Sequence, residues 1–550
     1  MITHKRWRSG AALLAAMLLA ACGDDGSGSP DGGSGAPPPE PTVLSFSVPV
    51  GSGGDLVYVP FEVPEGVQRI EARYLEGTPD NIGIGVFDAK GSDFLGTGFR
   101  GIAGTERREF FIAGDEATLG FIPGPILPGP WQLVMPNYYA LGTAQIEVTL
   151  HYGEAAPTPQ RQAVPEQLIV EGGWYRGDLH VHTEHSSDAF ASGKALLPAA
   201  MAERAKNRGL DFIALTDHNV STQNDRLPEA QPENFLLLAG NEVTTWIGGP
   251  GHLIVAGLDA GEFIDWRFRP VRGVWGKPVS SWGENEQPIQ MLLDYTRSRG
   301  LYTSAAHPYV APGFGSNWGF FGDSDADPAA LPDALEVWNG DFFLSGGTAA
   351  LIRWDIELAR GRRVCGNGGS DLHGIDSGAE VGAPTTVVYA RELSRAGIVE
   401  ALQACRGYLT AQPDGPALLL TATGADGSEV MMGEWLSSAT GERAQAKVRV
   451  LGGEGTRLML TRGSLGVPLL STTVASADET FTTEIDIRRQ DAVRAELWPD
   501  ALSAPLGLNP IALSNPIFFG PEAPLPLRAP LPEAHRAQAI ATLSTTPRNR

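Results

Sequence analysis

The sequence predicts a multidomain protein, with a central α/β unit flanked by two β-sandwich regions. Three observations carry that prediction. The chain has 550 residues, room for about three or four domains at roughly 100–200 residues each. It holds 68 glycines and 42 prolines beside 42% hydrophobic residues, so it has material for cores joined by many turns. Short β-like runs fill both flanks, while the middle alternates apolar strands with helical stretches.

Residues 1–22 read as a signal peptide. Lys5, Arg6 and Arg8 precede the apolar run Gly10–Ala21, which is too short to span a bilayer. The run ends Leu19-Ala20-Ala21-Cys22, which resembles a bacterial lipobox. That resemblance implies lipidation at Cys22 and an exported protein anchored in the cell envelope. Gly23 after the cysteine favours the outer membrane, facing the periplasm or the surface. An ordinary signal peptide with a chance cysteine is the alternative. Residues 23–42 form a Gly/Ser/Pro-rich tether that cannot bury a core. No other stretch is apolar for 18 residues, so the mature protein is expected to be soluble apart from its anchor.

Residues 43–153 form the N-terminal sandwich. Its runs include Leu56–Val59, Arg69–Tyr74, Ile82–Phe87 and Gln145–Leu150. Residues 416–519 form the C-terminal one, with Ala417–Thr423, Gln445–Leu451, Thr456–Thr461 and Phe481–Ile487. Residues 520–550 begin Pro-rich and are expected to be a mobile tail. Between the sandwiches, helices are predicted at Ala195–Asn207, Pro288–Arg299, Ala349–Arg360 and Arg395–Cys405. The first sets Leu197, Met201 and Ala205 on one face.

Formal net charge is −23, which argues against nucleic acid as a main partner. Three cysteines exclude a disulfide scaffold. In an exported protein Cys365 and Cys405 either pair or stay buried thiols. Cys365, inside a strand, reads as core packing.

Seven of the ten histidines fall between positions 180 and 373. Five predicted strands run into chemical residues: Trp174–Leu179 into His180 and His182, and Leu210–Thr216 into Asp217 and His218. Phe235–Ala239 runs into Glu242, Leu301–Ala306 into His307, and Arg363–Gly366 into Asp371 and His373. In a β/α barrel such strand ends meet at one mouth. Imidazoles mixed with carboxylates suit Zn, Mn or Fe, whereas Mg favours oxygen alone.

The blocks GDLHVHTEHSSD (177–188), LTDHN (215–219), GNEVT (240–244), GHLIV (251–255), AHP (305–307) and GGSDLHG (368–374) resemble the polymerase and histidinol phosphatase (PHP) superfamily. The resemblance covers residues 168–413. The flanking β regions and Ser514-Asn515-Pro516-Ile517 look like its multidomain branch of carbaryl-hydrolase-like enzymes.

This resemblance implies a distorted seven-stranded β/α barrel holding two or three divalent ions. His180, His182, Glu242 and Asp371 would surround the first. Glu242 would bridge to a second, with His307 and His252. Asp188, His218 and His373 would hold a third; several relatives carry His where Asp188 stands. Asp217 would orient a ligand.

The implied activity is hydrolysis by a hydroxide held between ions at Glu242. His218 or His373 would protonate the leaving group where its ion is absent. The substrate would be a small phosphomonoester or phosphodiester. A carboxylic or carbamate ester, suggested by the multidomain branch, is the alternative, and no Arg lies in the metal blocks to clamp a phosphate. A third reading is a surface-anchored ligand-binding lipoprotein. His185 is either a turn residue or a substrate contact. Asn219 either caps a helix or touches substrate. Glu336 and Asn339 end another strand and are candidates for the same mouth. Oligomeric state is left open.

Overall fold

The computed structural model describes residues 39–51, 55–138, 140–159, 167–245, 251–270, 287–310, 317–375, 378–463, 466–500, 509–526 and 528–546. The signal peptide, Cys22 and most of the tether lie outside them. No helix among the described residues is long and apolar enough to cross a membrane.

Two four-stranded antiparallel sheets make up the N-terminal region. One runs in the order Thr42–Val50, Gly142–Tyr152, Val67–Tyr74, Glu109–Ala113. The other runs Asp55–Val63, Gly129–Asn137, Ile84–Phe87, Phe99–Ala103. Alternating residues of both enter one core: Ile70, Ile112, Ile146 and Val148 meet Val86, Trp131 and Leu133. Trp131 is wholly buried, with its indole N–H donating to the Leu127 carbonyl.

The central strands belong to one continuous sheet. Its order is Cys365–Gly369, Ala334–Asn339, Tyr302–Ala306, His252–Ala256, Leu236–Thr244, Phe212–Leu215, Gly173–Val181. Beyond Gly173–Val181 it continues through Thr385–Ala390 and Gly407–Thr410 into the C-terminal strands. Neighbours within the first seven are parallel except around His252–Ala256, which is antiparallel on both sides. The ends of the Gly173–Val181 and Cys365–Gly369 strands also meet, in an isolated parallel bridge between Val181 and Leu372. There the His182 N–H donates to the Leu372 carbonyl and the Asp371 N–H to that of His180.

Helices cover this sheet at Pro198–Asn207, Ile289–Ser298, Gly347–Ala359 and Arg395–Gln403. Each buries one stripe, as in Ile289, Leu292, Leu293 and Thr296. The first begins later than predicted, because Pro198 takes its first turn. Leu197 is thereby left outside the helix and exposed. Ser394 caps the last, its side chain accepting from the Gly397 N–H.

Three further differences from the sequence reading have physical causes. The Glu242 strand does not stop at Ala239 but runs to Thr244. Its polar residues are satisfied inside, as where Asn241 Nδ2 donates to the Asp217 and Val220 carbonyls. The tail carries a helix, Glu533–Ala541, that packs down. Leu531, Ala539 and Leu543 are buried there, Trp174 Nε1 donates to the Ala539 carbonyl at 2.8 Å, and Arg536 pairs with the nearly buried Glu434 at 3.0 Å. Apolar residues spaced along a polar segment outweigh its Pro-rich start. Cys365 is not a free core thiol: it is disulfide-bonded to Cys405, which follows the Arg395–Gln403 helix.

The C-terminal strands divide between two sheets. Arg443–Leu451 pairs with Ala417–Thr423 and Asp478–Asp486 in one sheet. Thr456–Thr461, Asp491–Pro499 and Ala512–Ser514 instead extend the central sheet.

Candidate metal centre

The site forms at one edge of the central sheet. His180 lies inside its strand, and His182 just past the end. His218 follows Phe212–Leu215, His307 follows Tyr302–Ala306, and Asp371 and His373 follow Cys365–Gly369. His252 starts its strand rather than ending it. Because that strand runs antiparallel to the Glu242 strand, with Thr244 opposite His252, its start reaches the same edge. Asp371 and His307 have positive φ values of 54° and 25°, backbone strain of a kind that gathers at functional sites. Gly369 permits the close approach: a Cβ there would sit 2.4 Å from His180 Cβ and 2.5 Å from Glu336 Oε1.

An inner group is formed by His180, His182, Glu242 and Asp371, whose ligand atoms all lie within 4.8 Å of one another. His180 Nε2 is 3.1 Å from Glu242 Oε2 and 3.2 Å from Asp371 Oδ1; His182 Nε2 is 3.2 Å from each. Yet these four atoms are buried without a hydrogen-bond partner. An unpaired buried polar atom costs about 1–3 kcal/mol. Four aimed at one point form a set that could hold a cation, and two imidazoles with two carboxylates fit a divalent one. A second group joins Glu242 to His252 and His218. Glu242 Oε1 lies 2.7 Å from His252 Nδ1 and 3.1 Å from His307 Nε2.

The outer group gathers His218 and His373, with His182 shared from the inner group. Asp188 sits against it, with Oδ2 3.2 Å from His218 Nε2 and 3.0 Å from His373 Nε2. The groups therefore share members. His182 belongs to two, and His218 lies between Asp188 and Glu242, its Nδ1 3.0 Å from Glu242 Oε2.

Supporting residues hold these ligands. Both Glu336 oxygens lie within 3.2 Å of His180 Nδ1, and Oε2 accepts the His307 N–H at 2.8 Å. That contact turns His180 Nε2 toward the inner group. Asn339 Nδ2 donates to Glu336 at 3.0 Å and to Asp371 Oδ2 at 3.3 Å. Asp217 bonds no ligand imidazole; it accepts the Thr183 and Ser186 N–H groups and the Thr183 hydroxyl, tying down the 183–186 loop. Asn219 neither caps a helix nor faces the ligands: its amide pairs with both backbone groups of Thr244 at 2.8 Å. His185 faces away, its Nδ1 2.8 Å from the Thr222 hydroxyl.

Three contributors escaped the sequence reading. Asp178, wholly buried, accepts the His180, Ser370 and Gly382 N–H groups and so ties the two ligand-bearing segments at His180 and Asp371 to the loop at Gly382. Thr244, the last letter of GNEVT, places its hydroxyl 2.6 Å from His218 Nδ1. An acid in an apolar strand and a Thr two residues past Glu242 were the available signals. Arg107, from the loop between the Phe99–Ala103 and Glu109–Ala113 strands, carried none: it lies over the Phe190 ring at 3.9 Å and feels the charge of Glu184.

Electrostatics follow the crowding. Burial opposes charge throughout, but Asp371, Glu242 and Glu336 push His180 well above the ordinary imidazole range. Glu242 and Asp188 shape His218, which rises to about 9. Asp188 and Asp371 lift His373 to about 10. In return His218, His180 and His252 hold Glu242 well below the usual carboxylate range. Burial wins at His252, which falls to about 4.

No protein-family model and no curated protein matches the chain. Among solved structures, one match is a crystal structure from Bifidobacterium adolescentis ATCC 15703, described provisionally as a metal-dependent phosphoesterase. It is 18% identical, covers 44% of this chain and 98% of that one, and has a TM-score of 0.29. A likeness that low carries no argument about chemistry, which rests on the residues above.

Proposed function

We propose that this chain is a metal-dependent hydrolase of phosphomonoesters or phosphodiesters, built on a distorted seven-stranded PHP barrel over residues 168–413. The observation that carries the reading is the set of four buried, unpartnered ligand atoms on His180, His182, Glu242 and Asp371. A binding protein has no need of such a set. The Val181–Leu372 bridge between the first and last of the seven strands supports the barrel. The Cys365–Cys405 disulfide supports export, and with it the lipid anchor at Cys22.

Bound divalent ions, two or three of them Zn, Mn or Fe, would supply an activated water and positive charge against the phosphoryl oxygens. His180, His182, Glu242 and Asp371 would hold the first. Glu242, His252 and His307 would hold the second. Asp188, His218 and His373 would hold the third. Glu336 keeps His180 in one tautomer with Nε2 free for its ion. His373 stands on the solvent side, where Nε2 shares a proton with Asp188 Oδ2 at 3.0 Å. When the outer group holds no ion, that proton is available to a leaving oxygen.

The deciding experiment is elemental analysis of protein purified without chelator, run beside assays on aryl phosphomonoester, phosphodiester, carboxylic-ester and carbamate substrates. Two or three ions per chain with phosphoester turnover is the expected result. Turnover of carboxylic esters or carbamates alone would move the chain to the carbaryl-hydrolase type. Less than one ion per chain, even after adding Mn or Zn, overturns the hydrolase and favours a binding lipoprotein.

A further inference from the structure

A cavity of about 960 Å³ opens where the N-terminal sheets meet the loops behind the metal centre. Its size lies at the upper end of small-molecule pockets, about 300–1,000 Å³. No metal-ligating residue lines it. One wall is Phe99, Arg100 and the 115–127 segment of the N-terminal region; the other includes His185, Thr222, Arg226, Phe263 and Tyr295.

The seam itself is tightly built. Phe99 and Phe263 stack across it with centroids 3.9 Å apart. Gly120 has φ +90°, and a Cβ there would lie 3.4 Å from Val220 and 3.5 Å from the His185 carbonyl. Asp265 and Arg267, fully buried and 2.7 Å apart, reach the Leu95 N–H and the Ser92 and Asp93 carbonyls. The cavity walls are therefore held in place rather than left by loose contact.

His185 is 5% exposed and lines the cavity. Thr222 takes its Nδ1, and its Nε2 has no partner among the described residues. Burial, with Arg226 and Arg107 nearby, lowers its pKa to about 4, so the ring is neutral. The charged walls are largely paired already: Arg100 with Asp88, Glu116 with Arg69, Glu229 with Arg226, and Glu262 with Arg299. Carboxylates outnumber cations in the lining, which disfavours an anion. Paired carboxylates keep lone pairs for hydroxyl donors. Leu95, Phe121, Ile122 and Phe263 offer apolar surface beside them.

We infer that this cavity is a second binding site, separate from the metal centre, for a neutral, hydroxyl-rich ligand of the saccharide class, with His185 Nε2 as its buried polar anchor. Hydroxyls meet the imidazole and carboxylates, and the C–H faces of the sugar meet the apolar wall. The site stands whether or not the metal centre hydrolyses phosphoesters.

The test uses the full chain and ligand-observed NMR with maltotriose, cellotriose and chitobiose, with glucose 6-phosphate and spermidine as charged controls. A neutral saccharide is expected to bind. His185→Phe, which removes the polar nitrogen, should weaken binding at least about tenfold. Thr97→Trp, at an exposed position on the cavity wall, should block binding while metal content and hydrolysis stay at wild-type values. Binding untouched by both variants, no neutral saccharide bound at millimolar concentration, or preference for either charged probe each overturns the proposal.

Discussion

The inner group of His180, His182, Glu242 and Asp371 and the outer group of Asp188, His218 and His373 differ first in access to water. His180, His182 and Glu242 have no side-chain exposure and Asp371 keeps 23%, whereas Asp188, His218 and His373 keep 37%, 16% and 31%. They differ next in how their atoms are satisfied. The inner lone pairs converge without hydrogen bonds, while His373 and Asp188 already share one at 3.0 Å. A cation at the inner group relieves the desolvation cost of its converging lone pairs. A cation at the outer group must displace a hydrogen bond and compete with solvent. The inner site should therefore be tight and the outer one exchangeable.

The sharpest way to break that contrast is Glu242→Gln, since Glu242 would hold both the first and the second ion. Elemental analysis should find at least one ion lost per chain, and turnover should fall about 10³-fold or more. An unchanged ion count would remove the inner group from the mechanism. Glu336→Gln removes the charge behind His180 without touching a ligand atom of the ion. Titration with Zn or Mn should show affinity for the tightest ion reduced about 10- to 100-fold. Asp188→Asn should weaken one ion about tenfold and leave the others in place, so loss of all ions on that change would erase the distinction between the two groups.

The smallest effect is graded with pH. His218 at about 9 and His373 at about 10 both hold protons at neutral pH in the ion-free protein. Their folded pKa values exceed the ordinary 6.5, so their contribution to ion-free stability is full below that value. It disappears as pH rises through about 9 to 10. Ion binding has the opposite sign, because ligating imidazoles must be neutral. Affinity at the outer group should rise with pH over this range, and ion uptake in dilute buffer should release protons. Uptake without proton release would place the ions elsewhere.

Much of this was legible along the chain, for local reasons. Apolar runs ending in polar chemistry mark strands whose ends must be lined up by hydrogen-bonded neighbours, so Phe212–Leu215, Tyr302–Ala306 and Cys365–Gly369 appeared close to their observed positions. Ala417–Thr423 and Thr456–Thr461 appeared at theirs, because alternation and turn residues are local signals. Asn219 misled because a polar residue after a strand has several uses, and only Thr244, 25 residues on, selects one.

The sequence alone specified which residue types reach the strand ends and in what order, because secondary structure and its punctuation depend on near neighbours. Their partition among ion groups, the reversal that brings His252 to the mouth, and the anchoring of His180 by Glu336, 156 residues away, came from folding. So did the Cys365–Cys405 bond, the packed tail and the seam that buries His185 against the N-terminal sheets. Each depends on contacts between distant segments, where burial removes water as a competing partner and leaves every polar atom to find its match in the fold or in a ligand.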